Sequence, residues 1–313
     1  MKRFKQLFRT ILLLVFVCGV FAFLPLKKDK LYVSDYENVL GTSMEIKIAA
    51  SSDRTATKAE QMVLKEIDRL NKILSGYDSS SEFRRWMASG KEAVSISTEL
   101  YEVLSLFEQW RIKTGGALDA SAETVSKLWR EAAKQNHIPS QTEIANAVNT
   151  VRQQHYILNE INHTVQRTSD ASLILNSFAK SYIMNKAADA ALATAGVNGL
   201  VLNIGGDIIV RGEHVEQILV SNPKADAEND PPVAQIQMAN KTIATSGNYR
   251  RGVFVDGKWY SHIVNPQTGI PATEIVSATV VTDKATDAGA LATALNVLGV
   301  EKGKQLLATI PAT

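Results

Sequence analysis

The chain has 313 residues, with 34 Lys and Arg against 32 Asp and Glu, so its formal net charge is only +2. That length suits one large domain or two modest ones with an ample hydrophobic core. Because the charge is nearly balanced and no basic stripe is interleaved with aromatic residues, the composition argues against a nucleic-acid partner.

The N-terminus combines a basic start with an apolar run. Residues 2–5 include three basic side chains, and residues 11–24 are almost wholly apolar. A run this short is typical of a signal peptide, here cleaved after Ala22, with an uncleaved anchor or a lipoprotein at Cys18 as alternatives. We predict that residues 1–26 form a signal peptide or N-terminal membrane anchor. The protein is then exported to the bacterial periplasm or the outer face of the inner membrane, with membrane contact only through this end.

Hydrophobic periodicity predicts a strand and two helices in the first third of the chain. Alternating apolar and charged residues in 39–48 predict a half-buried strand. Apolar residues at helical spacing predict amphipathic helices at 58–74 and 98–113. Residues 75–82 are rich in turn formers and indicate a loop, and Gly115-Gly116 ends the second helix.

The middle of the chain carries weaker signals. Residues 130–162 are polar and predict a helix with an irregular excursion, in which His137 and His155 are expected to be solvated surface groups. Residues 172–195 predict a helix that contains Lys180. Residues 200–210 predict an apolar strand interrupted by two glycines, as at a bulge or where a backbone meets a ligand.

The most informative stretch lies in the last third. Asp256-Gly257 between two apolar-aromatic runs predicts a tight hairpin, because both residues tolerate a positive φ. The second strand leads to His262 at the edge of a loop stiffened by Asn265-Pro266. A titratable ring beside a rigid polar loop suits catalysis, although a lone His more often caps a turn.

The chain closes with a strand predicted at 275–282 and a helix predicted at 287–298, ended by Gly299. Strands cluster in hairpins around helices rather than alternating strictly with them. We therefore predict an α+β fold with mostly antiparallel sheets packed against helices.

Eight short segments, in order between residues 41 and 293, resemble the ApbE family, the FAD:protein FMN transferases. Each segment is common by itself, but the ordered set is specific, and on it the chain is identified as a member of that family. The segments are Gly41-Thr42, Ser75-Gly76-Tyr77 with Ser81-Glu82, Gly116-Ala117-Leu118-Asp119, Ala179-Lys180, Asn203-Ile204-Gly205-Gly206-Asp207, Ser246-Gly247-Asn248-Tyr249, His262-Ile263-Val264-Asn265-Pro266-Gln267-Thr268-Gly269 and Ala290-Leu291-Ala292-Thr293.

The resemblance implies one ApbE-like domain at 33–313 with a cofactor cleft between two halves. It implies Mg²⁺-dependent transfer of FMN from FAD to a Thr hydroxyl of an exported acceptor protein, with release of AMP. Phosphoryl transfer needs positioning and charge neutralisation, which suits Lys180, and a base titrating near neutral pH, which suits His262. The implied cofactor-binding residues are Leu40, Tyr77, Ala117, Leu118, Asp119, Ile174, Lys180 and Ile263.

These side chains also have ordinary structural explanations. A lone helix Lys is usually solvated, with its stem packed on apolar surface. A loop Tyr is usually a partly buried anchor. Asp119 can simply cap the helix that follows it.

The implied metal site is where this sequence departs from the family. Its ligands would be the carbonyl of Ser177, the hydroxyl of Thr293 and, as a candidate carboxylate, Asp287. Gly289 stands where the family has Asp, four residues before Thr293 and on the same helix face. Asp287 is about 240° round the helix from Thr293, so it serves only if the helix starts after it. Other departures are at Ile174, where the family has Asp, and at Ser181, Asn265 and Met87.

Mg²⁺ normally takes at least one carboxylate among its hard oxygen ligands. The departures therefore leave two alternatives to transfer: a catalytically weakened FAD-binding protein, and an FAD pyrophosphatase giving FMN and AMP. Relatives also usually add a closing strand after the last residues of this chain. We expect that strand to be missing, which would leave an unpaired sheet edge.

Overall fold

The fold is described from a computed structural model, which describes residues 29–225 and 230–310. The predicted signal peptide or anchor at 1–26 lies outside these residues. Within them, none of the helices combines the length and apolar character needed to cross a membrane.

The described residues form thirteen strands and seven helices. The strands are β1 Lys30–Val39, β2 Thr42–Ala50, β3 Ala93–Ser95, β4 Tyr156–Asn159, β5 Thr164–Arg167, β6 Val197–Ile204, β7 Asp207–Gly212, β8 Glu216–Val220, β9 Ala234–Met238, β10 Thr242–Gly247, β11 Gly252–Val255, β12 Lys258–Ser261 and β13 Ser277–Thr282. The helices are α1 Asp53–Leu74, α2 Glu82–Ala88, α3 Thr98–Lys113, α4 Ala122–Lys134, α5 Gln141–Val151, α6 Ala179–Leu192 and α7 Ala285–Thr309.

A six-stranded sheet in the order β1-β2-β6-β7-β10-β13 organises the molecule. Its neighbouring strands are all antiparallel. Three smaller sheets, β3-β5-β4, β8-β9 and β11-β12, flank it. The predicted α+β class with mostly antiparallel sheets is confirmed.

The main core lies between the large sheet and helices α1, α3 and α6. Its centre contains the fully buried rings of Phe107 and Phe178, stacked with centroids 4.3 Å apart. A second, smaller core joins α4, α5 and β11 through Val125, Trp129 and Val255. The hairpin that delivers His262 therefore packs on α4 and α5 rather than on the large sheet.

Local signals predicted several elements well. The helix at 98–113 has the predicted bounds, and α1 ends where predicted but begins earlier, because the Ser52 hydroxyl accepts from Thr55 N–H and caps it. The strand predicted at 39–48 begins only at Thr42. Val39 is instead the last residue of β1, and Leu40 and Gly41, with φ of +51° and +80°, form the turn between the two strands.

Two predictions in the middle of the chain are wrong. Residues 200–210 are not one interrupted strand but the hairpin β6–β7, whose turn is Gly205-Gly206 with φ of +59° and +89°. Two consecutive positive φ values suit a tight hairpin turn. Helix α6 begins at Ala179, so residues 172–178 precede the helix and Ser177 lies in the connecting segment.

His155 is buried, contrary to the predicted surface position. Its Nδ1 lies 2.8 Å from the Ser169 hydroxyl and its Nε2 lies 3.0 Å from the Val151 carbonyl. Both ring nitrogens are satisfied, which makes burial of the ring tolerable. The surrounding region holds α5 and the β4–β5 hairpin.

The helix predicted at 287–298 begins at Ala285, and Gly299 interrupts α7 rather than ending it, because helical residues continue to Thr309. Gly299 has φ +77° and ψ −177° inside α7, so the first helical segment ends there and a second follows. The Val300 N–H donates to the Glu274 carboxylate at 2.9 Å, which caps the second segment.

Candidate active site

His262 lies directly after β12, where the β11–β12 hairpin opens into a loop. Its ring Nδ1 lies 2.9 Å from the carbonyl oxygen of Arg251. A carbonyl oxygen only accepts, so Nδ1 carries the proton and Nε2 keeps its lone pair. Within residues 29–225 and 230–310, no side chain or backbone group hydrogen-bonds to Nε2. His262 therefore presents a free basic nitrogen.

The surroundings of His262 favour the neutral form of its ring. The side chain is exposed overall, but protein atoms crowd the ring closely enough to desolvate its charged form. This desolvation lowers the pKa of His262 below its ordinary value of 6.5; the Arg251 charge lowers it further, and the bond to the Arg251 carbonyl opposes the shift. A base that is neutral at physiological pH suits proton abstraction.

Contacts from distant segments hold the loop after His262 in place. The indole N–H of Trp129 donates to the Gly269 carbonyl at 2.9 Å, and the Gln267 amide donates to the Gly115 carbonyl. Ile263 packs with Ala117 and with Val297 of α7 in one small apolar cluster. The loop, the predicted cofactor segment around Ala117 and α7 therefore meet.

Lys180 reaches the β6–β7 turn from the first turn of α6. Its ammonium lies 2.8 Å from an Asp207 carboxylate oxygen and donates to the Ile204 carbonyl at 3.1 Å. The other carboxylate oxygen of Asp207 accepts from Thr245 N–H at 3.3 Å. An ammonium has three donors, so one remains for a phosphate oxygen, and the Lys180 side chain is 31% exposed. The ordinary alternative, a freely solvated Lys, is wrong.

The turn containing Leu40 lies beside the Gly205-Gly206 turn. Gly205 N–H donates to the Ser43 carbonyl at 3.1 Å. A Cβ atom at Gly205 would lie 2.7 Å from the Thr42 methyl carbon, so this close approach requires glycine. Leu40 is therefore near the turn that Lys180 contacts.

Tyr77 is 80% exposed, and its hydroxyl accepts from the Asn176 amide at 2.6 Å. Its loop also touches Ile174, because a Cβ atom at Gly76 would lie 3.4 Å from the Ile174 side chain. The Ile174 N–H donates to the Ala120 carbonyl at 2.9 Å. These contacts bring Tyr77, Ile174 and the segment after Ala117 into one region, with the Tyr77 ring open for stacking.

The side chains of Leu118 and Asp119 point into structure rather than into open space. Leu118 is fully buried in the main core. One oxygen of the buried Asp119 carboxylate accepts from both the N–H and the hydroxyl of Ser121, at 2.8 and 2.7 Å. Asp119 thus organises the turn before α4. The carboxylate does not cap α4, because the N-cap residue is Ser121 and no side chain makes a capping hydrogen bond there, so the expected capping role of Asp119 is wrong. A cofactor could meet this segment mainly through its backbone and Ala117.

The similarity of the chain to known proteins agrees with this arrangement. The ApbE family model matches residues 40–313. The chain belongs to the ApbE family.

Relatives and solved structures support the assignment. The chain is similar to the FAD:protein FMN transferase of Vibrio cholerae, at 29% identity over 84% of this chain and 80% of the relative. It is similar to that of Escherichia coli at 27% identity, over 86% and 79%. The apo flavinyl transferase ApbE of Pseudomonas stutzeri superposes with TM-score 0.75 at 26% identity, over 90% and 89% of the two chains. The ApbE protein of Thermotoga maritima gives 0.78 at 25% identity, over 90% and 91%.

The metal site implied for an ApbE protein does not fit the residues present here. Helix α7 starts at Ala285, so Asp287 lies in its first turn, about 240° from Thr293, and the prediction that Asp287 completes the site is wrong. The Asp283 carboxylate is 2.5 Å from the Lys241 ammonium instead. Among the described residues, no group of three His, Cys, Asp or Glu side chains could hold a metal ion. The Ser177 carbonyl and the Thr293 hydroxyl are both neutral, which is too weak a set for Mg²⁺.

Sequence reasoning missed two residues of this region. Asp207 stands in a quoted family segment, and an Asp directly after a glycine pair is a sequence signal that could have been used. Asn176 gave no signal, because its contact with Tyr77 joins residues 99 positions apart.

Proposed function

We propose that this ApbE-family protein transfers FMN from FAD to a threonine hydroxyl of an acceptor protein, and that both proteins are exported. The observation that carries the proposal is the free Nε2 of His262, on a loop anchored to the segment at Ala117 and to α7. The names of its relatives support flavin transfer as the chemistry.

The reaction needs a general base, a positively charged group near the phosphates and an aromatic surface on which the isoalloxazine or adenine ring of FAD stacks. His262 Nε2 takes the proton of the acceptor hydroxyl while the hydroxyl oxygen attacks the FMN-side phosphorus. The bond from that phosphorus to the oxygen of the AMP phosphate breaks, AMP leaves, and FMN stays on the acceptor as a phosphoester. The proton then passes from His262 to solvent.

Lys180 and Tyr77 supply the remaining parts. The third N–H of the Lys180 ammonium neutralises charge on the phosphate oxygens, a role in which positioning matters more than covalent chemistry. Asp207 and the Ile204 carbonyl hold that ammonium in place. The exposed Tyr77 ring offers a face on which an isoalloxazine or adenine ring stacks.

A second candidate is binding of FAD without transfer, and the absence of a carboxylate beside Thr293 favours it. A third is an FAD pyrophosphatase, in which water replaces the acceptor hydroxyl. The three functions differ in their products. Transfer gives AMP and a protein-bound flavin, the pyrophosphatase gives AMP and free FMN, and binding gives back intact FAD.

One assay separates them. The full chain is incubated with FAD and an exported-protein fraction of the producing cells. Nucleotides are then quantified by chromatography and protein-bound flavin by fluorescence on a denaturing gel. Transfer predicts AMP together with a fluorescent acceptor band, and both disappear with His262→Asn. Free FMN without a band, or intact FAD alone, would reject transfer.

A further inference from the structure

We infer that this site holds the diphosphate of FAD without a divalent cation, because the Ser181 hydroxyl occupies the volume in which a side chain at position 289 would begin. The inference rests on the proposed function only in taking FAD as the ligand. It concerns how the phosphates are held, not whether FMN is transferred.

The contact between α6 and α7 is tight at Gly289 and is closest at the Ser181 hydroxyl. A Cβ atom there would lie 2.6 Å from the Ser181 hydroxyl oxygen, 3.2 Å from the Ser177 carbonyl oxygen and 3.3 Å from the Phe178 Cβ. The carbonyl belongs to the backbone, and the Phe178 ring is fully buried against Phe107. Of the three neighbours, only the hydroxyl can be removed without moving the main chain.

Ser181 is itself built into the contact. It lies in the first turn of α6, directly after Lys180, and is only 2% exposed. Gly289 is also buried, on the first segment of α7. The two residues therefore form a matched pair, in which a hydroxyl on one helix fits the bare backbone of the other. A side chain at 289 would displace the Ser181 hydroxyl, and a smaller residue at 181 removes that clash.

Positively charged side chains can interact with the diphosphate charge of FAD that a metal ion would otherwise neutralise. Lys180 offers an ammonium donor one residue before Ser181. Arg251 is exposed, has no carboxylate partner within the described residues, and its charge reaches His262 strongly enough to lower the pKa of that ring. The diphosphate of FAD carries two negative charges. The Lys180 ammonium is already paired with Asp207 and contributes its third N–H donor, while Arg251 contributes a charge with no carboxylate partner in the part of the chain that the structure describes.

The first test is calorimetric titration of FAD into the full chain, purified in mild detergent, with either excess EDTA or Mg²⁺. We expect the dissociation constants to differ by less than about threefold. A loss of about tenfold or more in EDTA overturns the inference. If FAD fails to bind in either buffer, the inference and the proposed function both fall. If FAD binds equally in both but no transfer occurs, only the proposed function falls.

The second test uses the matched pair. Gly289→Asp alone is expected to lower the melting temperature and to add no Mg²⁺ dependence. Ser181→Gly with Gly289→Asp is expected to recover the melting temperature and to bind FAD at least about tenfold more tightly with Mg²⁺ than with EDTA. Ser181→Gly alone is the control, since it makes room without adding a ligand. The inference is overturned if Gly289→Asp alone is as stable as the unmodified chain and gains Mg²⁺ dependence.

Discussion

At the scale of single residues, the reactivity of His262 depends on one carbonyl and on local crowding. The Arg251 carbonyl selects the tautomer that leaves Nε2 basic, and desolvation lowers the pKa of the ring. With the folded pKa below 6.5, the neutral form persists to lower pH. The unfolded chain binds the proton more readily, so the His262 contribution to stability is lost as the pH falls below that value.

The first prediction concerns the pH profile. The initial rate of acceptor labelling should fall on the acid side with a midpoint below pH 6.5, because the pKa of His262 is depressed. His262→Asn should reduce the rate by about 10²–10⁴-fold, while its side-chain amide can still donate to the Arg251 carbonyl. FAD affinity, measured by calorimetry, is the control and should stay unchanged. An acid limb that persists in the variant would refute the assignment.

The second prediction separates the structural and binding roles of Lys180. Lys180→Gln should leave the Asp207 carboxylate, in a residue only 8% exposed, without its counter-ion. We expect a loss of about 1–3 kcal/mol in the free energy of unfolding, measured in urea, together with weaker FAD binding.

Adding Asp207→Asn to Lys180→Gln removes the buried charge, so stability should largely return while FAD binding stays weak. If both recover together, the Lys180 ammonium does not contact the cofactor.

At the scale of elements, α7 is two helical segments joined at Gly299, and the first carries Gly289 and Thr293. The joint depends on a positive φ and on close approach, because a Cβ atom at Gly299 would lie 2.1 Å from a Glu274 carboxylate oxygen. That carboxylate caps the second segment. The direction of both segments therefore depends on a residue without a side chain.

The third prediction is that Gly299→Ala lowers the free energy of unfolding by at least about 1–2 kcal/mol, from the left-handed backbone alone. Displacing the Glu274 carboxylate adds to the loss. Urea unfolding of the variant gives the value. Gly90→Ala is the matched control, since Gly90 has neither a positive φ nor an atom within 4 Å of the added carbon. Equal stability of the two variants would contradict the account of the joint.

At the scale of the whole molecule, two hydrophobic cores carry different parts of the candidate site. The large sheet and its helices bury the main core and carry Lys180 and Asp207. The smaller core on α4, α5 and β11 carries the hairpin that ends at His262. Trp129 links the smaller core to the site, because its ring packs on Tyr260 with centroids 4.5 Å apart while its N–H holds Gly269.

The fourth prediction is that Trp129→Phe costs about 0.5–1.5 kcal/mol of stability through the lost hydrogen bond, and lowers the transfer rate because the loop after His262 loses an anchor. Ile48→Val, in the main core on β2, should cost a similar amount, roughly 0.5–1.5 kcal/mol, with the transfer rate unchanged. Rate and unfolding free energy are measured on both variants. A similar loss of rate in both would mean that stability alone explains it.

Much of the fold could be predicted from local signals, which act within a few residues. The helix at 98–113, the hairpin at Asp256-Gly257 and the break at Gly299 each depend on periodicity or on a positive φ that neighbouring residues reveal. The β6–β7 hairpin does not follow from local signals, because two glycines between apolar runs also suit a bulge within one strand.

The sequence alone determined the ApbE family, the α+β class and the candidate base His262. Ordered motifs and turn-forming residues can be recognised from short stretches of sequence. Only the tertiary structure decided the His262 tautomer, the pairing of Lys180 with Asp207 and the burial of His155. It also decided that the Ser181 hydroxyl on α6 lies where a side chain at Gly289 on α7 would begin. The physical reason is that each of these depends on atoms that folding brings together from distant parts of the chain, and no local pattern records such contacts.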